Sequence, residues 1–268
     1  RIQDLWSMFV PKWYWFAISL FITLTIAVLY LLSTPPIYTR TAAILVKDNS
    51  KSSSSTSAMN DFSDLGIFKS NTNINNELLT LKSPTLMTEV VNRLGLNETF
   101  TIRKGLKNVD LYKVSPVTIT FCDKIEVPLS FTIKFSSKEA FAISELEISG
   151  EDIGETLSAQ MGDSIQTSAG IMIVSPTQEF TDAFIGTSIR YVRGSVRAAV
   201  DTYSNALVAE LGNEDATIIN LSINDTSIRK AEDILNTLIE VYNENWIRDK
   251  NQIAVSTSQF ISDRLGVI

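Results

Sequence analysis

The sequence predicts an α+β protein: an N-terminal transmembrane helix, a mixed α/β body, and a long C-terminal helix that the end of the chain cuts. Three observations predict it. Trp13 to Leu32 is an apolar run without charge, Pro or Gly. Between Tyr38 and Ile223, stretches of two-residue alternation are interleaved with stretches of helical period, the pattern of a mixed body. From Asp225 onward one helical stripe continues without a stop signal.

The apolar run comes first because it constrains everything after it. At ~1.5 Å per residue a helix of that length spans about 30 Å, the thickness of a bilayer's hydrocarbon core. Lys12, Trp13, Tyr14 and Trp15 form a basic and aromatic collar at one end, and Tyr30 and Tyr38 lie near the other, where amphipathic rings settle at headgroup level. A buried helix of a soluble protein rarely stays apolar on every face. A cleaved signal fits poorly, because Ser33-Thr34-Pro35-Pro36 is no small-x-small cleavage site. The run is therefore read as an uncleaved anchor. Arg1 to Pro11 is a short amphipathic lead, and because the first residue is Arg the sequence is expected to begin inside a longer chain. Arg1 and Lys12 on one side balance Arg40, Lys47 and Lys51 on the other, so loop charge does not set the orientation. The expected division is 1–12 lead, 13–32 span, 33–249 α/β body and 250–268 the opening of a long helix.

After Pro35-Pro36, Tyr38 to Lys47 has the β-branched enrichment of a strand, and the Ser-rich Asn49 to Asn60 reads as a loop. Leu78, Leu79 and Leu81 begin a helical pattern. Ser83-Pro84 then supplies an N-cap and an N1 proline, Leu86, Met87, Val90, Val91 and Leu94 the apolar face, and Gly95 the stop. Val114 to Cys122 and Leu129 to Phe135 alternate and are read as a β-hairpin. Glu145 to Ile148 and Gly170 to Val174 are further strands, with residues 151–163 between them read as helix or loop. Gly186 to Arg193 alternates, and Gly194-Ser195 opens a helix with Val196, Ala199, Val200 and Tyr203 on one face. Leu207 to Leu211 and Ala216 to Ile223 flank a turn-forming Gly212-Asn213-Glu214-Asp215, a second hairpin signature. Asp225, Thr226 and Ser227 offer N-caps to the stripe Ala231, Ile234, Leu235, Leu238, Ile239, Tyr242 and Trp246, which continues or resumes after a kink through Ile253, Phe260 and Leu265. Val267-Ile268 is no capped terminus, so the helix is expected to run on beyond the sequence.

Composition removes several chemistries. A net charge of −7 and a pI near 4.8 disfavour a nucleic-acid surface. The lone Cys122 forms no intrachain disulfide, and the absence of histidine removes Ser-His-Asp and Cys-His nucleophiles and the commonest metal ligand. No Walker, Rossmann or kinase motif occurs. Catalytic, cofactor and metal residues are therefore expected to be none. Glu145, Glu147, Glu151, Asp152 and Glu155 read as a solvated face rather than a glycosidase pair. Arg190, Arg193 and Arg197 form a small basic set that suits an anionic glycan or a neighbouring subunit, with surface ion pairs the plainer reading. Tyr242 and Trp246, at i and i+4, suit sugar stacking or, more simply, core packing.

The order of these parts resembles the Wzz-type chain-length determinants, or polysaccharide co-polymerases. It rests on the membrane helix, the Y-x-x-x-A-x-I-x-V strand at Tyr38 to Val46, the helix from Glu77 to Val91, and Ile218 to Tyr242 with the tail Lys250 to Leu265. Each is a packing pattern, and their conjunction carries the likeness. The resemblance implies a bacterial inner-membrane protein with its main domain in the periplasm and both ends in the cytoplasm. It implies a homo-oligomeric ring that sets the length of O-antigen of lipopolysaccharide, capsule or exopolysaccharide. Partners would be the growing polysaccharide, a polymerase and an outer-membrane export channel. The body looks most like the subgroup that adds a second membrane helix and often a cytoplasmic tyrosine autokinase, neither of which lies in these residues. An extracytoplasmic sensor domain of a signalling receptor is the main competing reading. A pump adaptor would need a Gly-rich lipoyl-like half, which is not seen, and an envelope-glycan enzyme ranks last.

Overall fold

The computed structural model describes residues 13–46, 74–122, 127–212 and 218–265. Lys12, the Ser-rich stretch and Val267-Ile268 lie outside the described residues. Helix α1 (Trp13–Ser33) buries no side chain against the rest of the protein and is long and apolar enough to cross a membrane. The hydroxyls of Thr23 and Thr25 each donate to the carbonyl four residues back at 2.8 Å. That is how hydroxyls are accommodated where no water competes.

Pro35-Pro36 stops the helix, and the chain passes straight into β1 (Tyr38–Leu45). This strand pairs antiparallel with β13 (Ile218–Asp225), from Tyr38 opposite Asp225 to Leu45 opposite Ile218. The expected hairpin of β12 (Leu207–Leu211) with β13 is present, giving a three-stranded sheet in the order β1-β13-β12. Alternation on β13 sends Ile219, Leu221 and Ile223 inward. There they meet helices α2 (Ile74–Leu81), α3 (Pro84–Leu94), α4 (Val196–Ala206) and α5 (Ile228–Leu265) in one core. The helix punctuation is as the sequence indicates. Ser83 Oγ accepts from Thr85 N at 3.3 Å, Pro84 follows, and Gly95 takes the left-handed conformation (φ 63°) that closes α3. Ser195 caps α4 in the same manner. The stripe from Ala231 to Tyr242 is buried, and α5 is one helix from Ile228 rather than two segments.

The chain leaves this unit at Asn97, returns at Gly194, and builds a β-sandwich in between. Gly194 N donates to Asn97 O at 2.8 Å, so entry and exit are tied together. The larger sheet follows the order β3 (Lys107–Asp110), β2 (Glu98–Lys104), β11 (Ser188–Arg193), β5 (Leu129–Phe135), β6 (Ala140–Ile148), β7 (Glu151–Asp152), with β8 (Leu157–Gln160) also on β6. The smaller sheet is β4 (Val117–Phe121), β10 (Gly170–Pro176), β9 (Ser164–Thr167). Between them lies a second core containing Phe131, Ile133, Phe135, Phe141, Met172, Val174 and Tyr191. The Tyr191 ring sits 5.0 Å from both Phe100 and Phe131, in tilted contacts that aromatic quadrupoles favour.

Two expectations are corrected. β4 and β5 are not a hairpin: β4 pairs with β10, and β5 with β11 and β6. Alternation identifies a strand but not its partner, and the all-round burial of β5 suits a central strand of the large sheet. Residues 151–163 form no helix; they contribute β7 and β8, whose short runs end at left-handed Gly154 and Gly162. The hairpin β2-β3, turned at left-handed Gly105, and strand β9 were not anticipated.

A bulge sets the phase of β6. Its pairing with β5 shifts between Ser130 and Thr132, and Glu145 is the extra residue, at φ 55°. Without it, strict alternation would bury Glu145 after Ile143; with it, Leu146 is buried and Glu147 faces outward. Glu145→Val is expected to destabilise the protein by about 1–2 kcal/mol, since a β-branched side chain tolerates positive φ worse than glutamate. Glu145→Gly should fold normally, and denaturant midpoints check both.

Candidate functional site

Trp13, Tyr14 and Trp15 are exposed on the first turn of α1, with the Tyr14 and Trp15 rings 6.3 Å apart, Tyr30 is exposed near its end, and Tyr38 opens β1.

Arg190, Arg193 and Arg197 do not form one set. Residues three apart on a strand point to opposite faces. Arg190 lies on the outer face of the large sheet, where Nη2 donates to Ser130 Oγ (3.1 Å) and Glu147 Oε2 (3.0 Å). Arg193 turns inward, its guanidinium 4.9 Å from the Phe121 ring centre and 3.8 Å from Glu98. Arg197 is exposed in the first turn of α4. Tyr242 and Trp246 also part company. Tyr242 is buried and its hydroxyl donates to Glu77 Oε2 at 2.6 Å, whereas Trp246 is 44% exposed with Lys250 Nζ 5.4 Å above its ring. Of the pair, only Trp246 can meet a ligand or a neighbour.

Four of the five acidic residues are engaged locally, and Glu151 is exposed. Thr132 Oγ1 donates to Glu145, Ser130 and Arg190 to Glu147, and the backbone N–H groups of Gly154 and Ser168 to Asp152 and Glu155. Among the described residues no three acidic, Cys or His groups cluster as metal ligands.

A buried polar constellation sits where the two cores meet. Lys230, on α5, points Nζ at Asp110 of β3 (2.5 Å) and Asp225 of β13 (3.3 Å), with all three side chains about nine-tenths buried. One lysine thus links the sandwich to the helix-covered sheet. Burial works against its charge, but Tyr203 and the carboxylates of Asp110 and Asp225 outweigh it and hold the ammonium above its ordinary pKa. Sequence reasoning missed this site. The available signal was the position of Lys230 four residues before Ile234, in line with the buried stripe.

Beside the ion triad lies a cavity of about 300 Å³ between the C-terminal end of α3, strand β2, the loop that holds Tyr112, and the start of β4. Glu98 lines it, and burial raises its carboxyl above the ordinary range despite the opposing pull of Arg193 and Tyr191. The folded state therefore holds this proton more tightly than the unfolded chain, so the associated stability is present in acid and lost as pH rises through the carboxyl range. Glu98→Gln is accordingly expected to melt higher than the parent at pH 7, with the gap closing below about pH 4. Thermal melts across that range read it.

An apolar helix long enough to cross a membrane leads directly into a sheet-and-helix unit, and a β-sandwich is inserted into that unit, which makes the class of the protein α+β. The family model described as chain length determinant protein, Wzz, matches residues 2–94, which span the anchor, β1, α2 and α3. Over these residues the chain is similar to that family. No curated protein matches the chain.

Proposed function

We propose that the protein is a polysaccharide co-polymerase that sets the length and assists the export of a bacterial surface polysaccharide, whether O-antigen, capsule or exopolysaccharide. The observation that carries this is the Wzz match over residues 2–94, coincident with the apolar helix and the unit it enters. In this reading α1 lies in the inner membrane and the two-core body stands in the periplasm. Copies assemble into a ring that presents one surface to the polymerase, the export channel and the growing chain. The segment works as a scaffold and contributes no reaction chemistry of its own. Of the five residues singled out for such contacts, Arg190, Arg197 and Trp246 are exposed. A strain lacking the gene should lose its defined polysaccharide size range on gels, with restoration by the full-length gene. An unchanged profile would reject the co-polymerase reading in favour of a sensor domain.

A further inference from the structure

We propose that the cavity at the junction of the two cores binds one neutral, hydroxyl-rich ring, a single sugar unit. This rests on the co-polymerase reading for its biological meaning but not for its chemistry. The cavity's volume, about 300 Å³, is at the lower end of small-molecule sites, which suits one ring and not a chain segment. Its charged lining is balanced, with Glu98 and Asp110 against Lys113 and Lys230.

Those charges are also largely committed. Lys230 is held by Asp110 and Asp225, and Lys113 Nζ pairs with Asp233 at 2.7 Å. An anionic ligand would have to compete with Asp110 and Asp225 for the buried Lys230, and with Asp233 for the half-exposed Lys113. The groups that remain are suited to hydroxyls. The Glu98 carboxylate faces Arg193 at 3.8 Å and the Tyr191 hydroxyl, and with two oxygens it has acceptor capacity left for a sugar O–H. Thr99 and Thr118 line the same cavity and make no side-chain hydrogen bond to another described residue. Each hydroxyl can both donate and accept. The rings of Phe100 and Tyr112 supply apolar wall for the C–H face of a pyranose.

The location adds a consequence. The cavity is walled by α3 and Lys230 of α5 on one side and by strands β2 and β4 of the sandwich on the other. A bound ring therefore touches both cores at once and stabilises their present arrangement by binding it preferentially.

The test is saturation-transfer-difference NMR on the full-length protein in a zwitterionic, sugar-free detergent. The probes are methyl α-glucoside, methyl α-galactoside, N-acetylglucosamine and sodium glucuronate. Signal transfer to one or more of the neutral sugars is expected. It should be abolished by Thr118→Phe, which fills the cavity from an exposed strand position, and retained by Thr132→Phe on the outer face of the large sheet. Thr99→Val, which keeps the shape and removes one hydroxyl, should weaken binding about fivefold and serves if Thr118→Phe fails to fold. No transfer from any neutral sugar, transfer from glucuronate alone, or equal transfer in wild type and the Thr118 or Thr99 variant would overturn the proposal. The gene-deletion experiment reads the co-polymerase role separately, so either can fail without the other.

Discussion

Replacing Lys230 by methionine is expected to destabilise the protein by about 3–5 kcal/mol, because it leaves Asp110 and Asp225 buried without their cation. Lys230 Nζ lies 2.5 Å from Asp110 and 3.3 Å from Asp225, with side-chain exposures of 10%, 11% and 9% for the three residues. Solvent screening, which reduces most ion pairs to a fraction of a kcal/mol, is largely absent here. In a body of this size the loss corresponds to a drop in melting temperature on the order of 10 °C. The double variant Lys230→Met with Asp110→Leu should recover most of it, because Asp225 keeps its bond from Ser227 N at 2.8 Å. The pH dependence has a definite sign. An ammonium held above its ordinary pKa contributes fully below about pH 10 and loses that contribution as pH rises through its folded value. The difference between parent and Lys230→Met should therefore be constant from pH 6 to 9 and shrink in strong alkali. A melting temperature unchanged by Lys230→Met would show that the triad does not hold the two cores together.

Phe131→Ala is expected to cost about 3–5 kcal/mol through the cavity it leaves in the sandwich. Phe131 is fully buried on the central strand β5, directly opposite Tyr191, and Phe100 lies against the other side of that tyrosine. The sandwich core is packed around this stack, and its neighbours sit on strands that cannot close in without breaking their ladders. Guanidinium denaturation followed by near-ultraviolet circular dichroism would read the loss. Phe131→Leu, which keeps most of the volume, should lose clearly less. Equal midpoints for Phe131→Ala and the parent would mean that the sandwich does not limit stability.

Short-range pattern in the sequence suffices for the helices. The uncharged run from Trp13 to Leu32, the Ser83-Pro84 start and Gly95 stop of α3, the Ser195 cap of α4 and the buried stripe of α5 were all legible. Each is a short-range rule, a helix period or a cap acting within a few residues. The likeness to the chain-length determinants followed from the order of such parts. Strand partnership, by contrast, is set by contacts distant in sequence. The β4 and β5 alternations are equally clear in sequence, yet they join different sheets, because pairing is settled by long-range burial and not by the strand itself. The bulge at Glu145 rephases β6, so alternation read from either end gives the wrong face at the other. The division into two cores, the return of Gly194 to Asn97, and the meeting of Lys230 with Asp110 across 120 positions of sequence likewise depend on where the folded chain comes back on itself. A buried charge is tolerated only when its partner is delivered by another element, and no local pattern around Lys230 records that delivery.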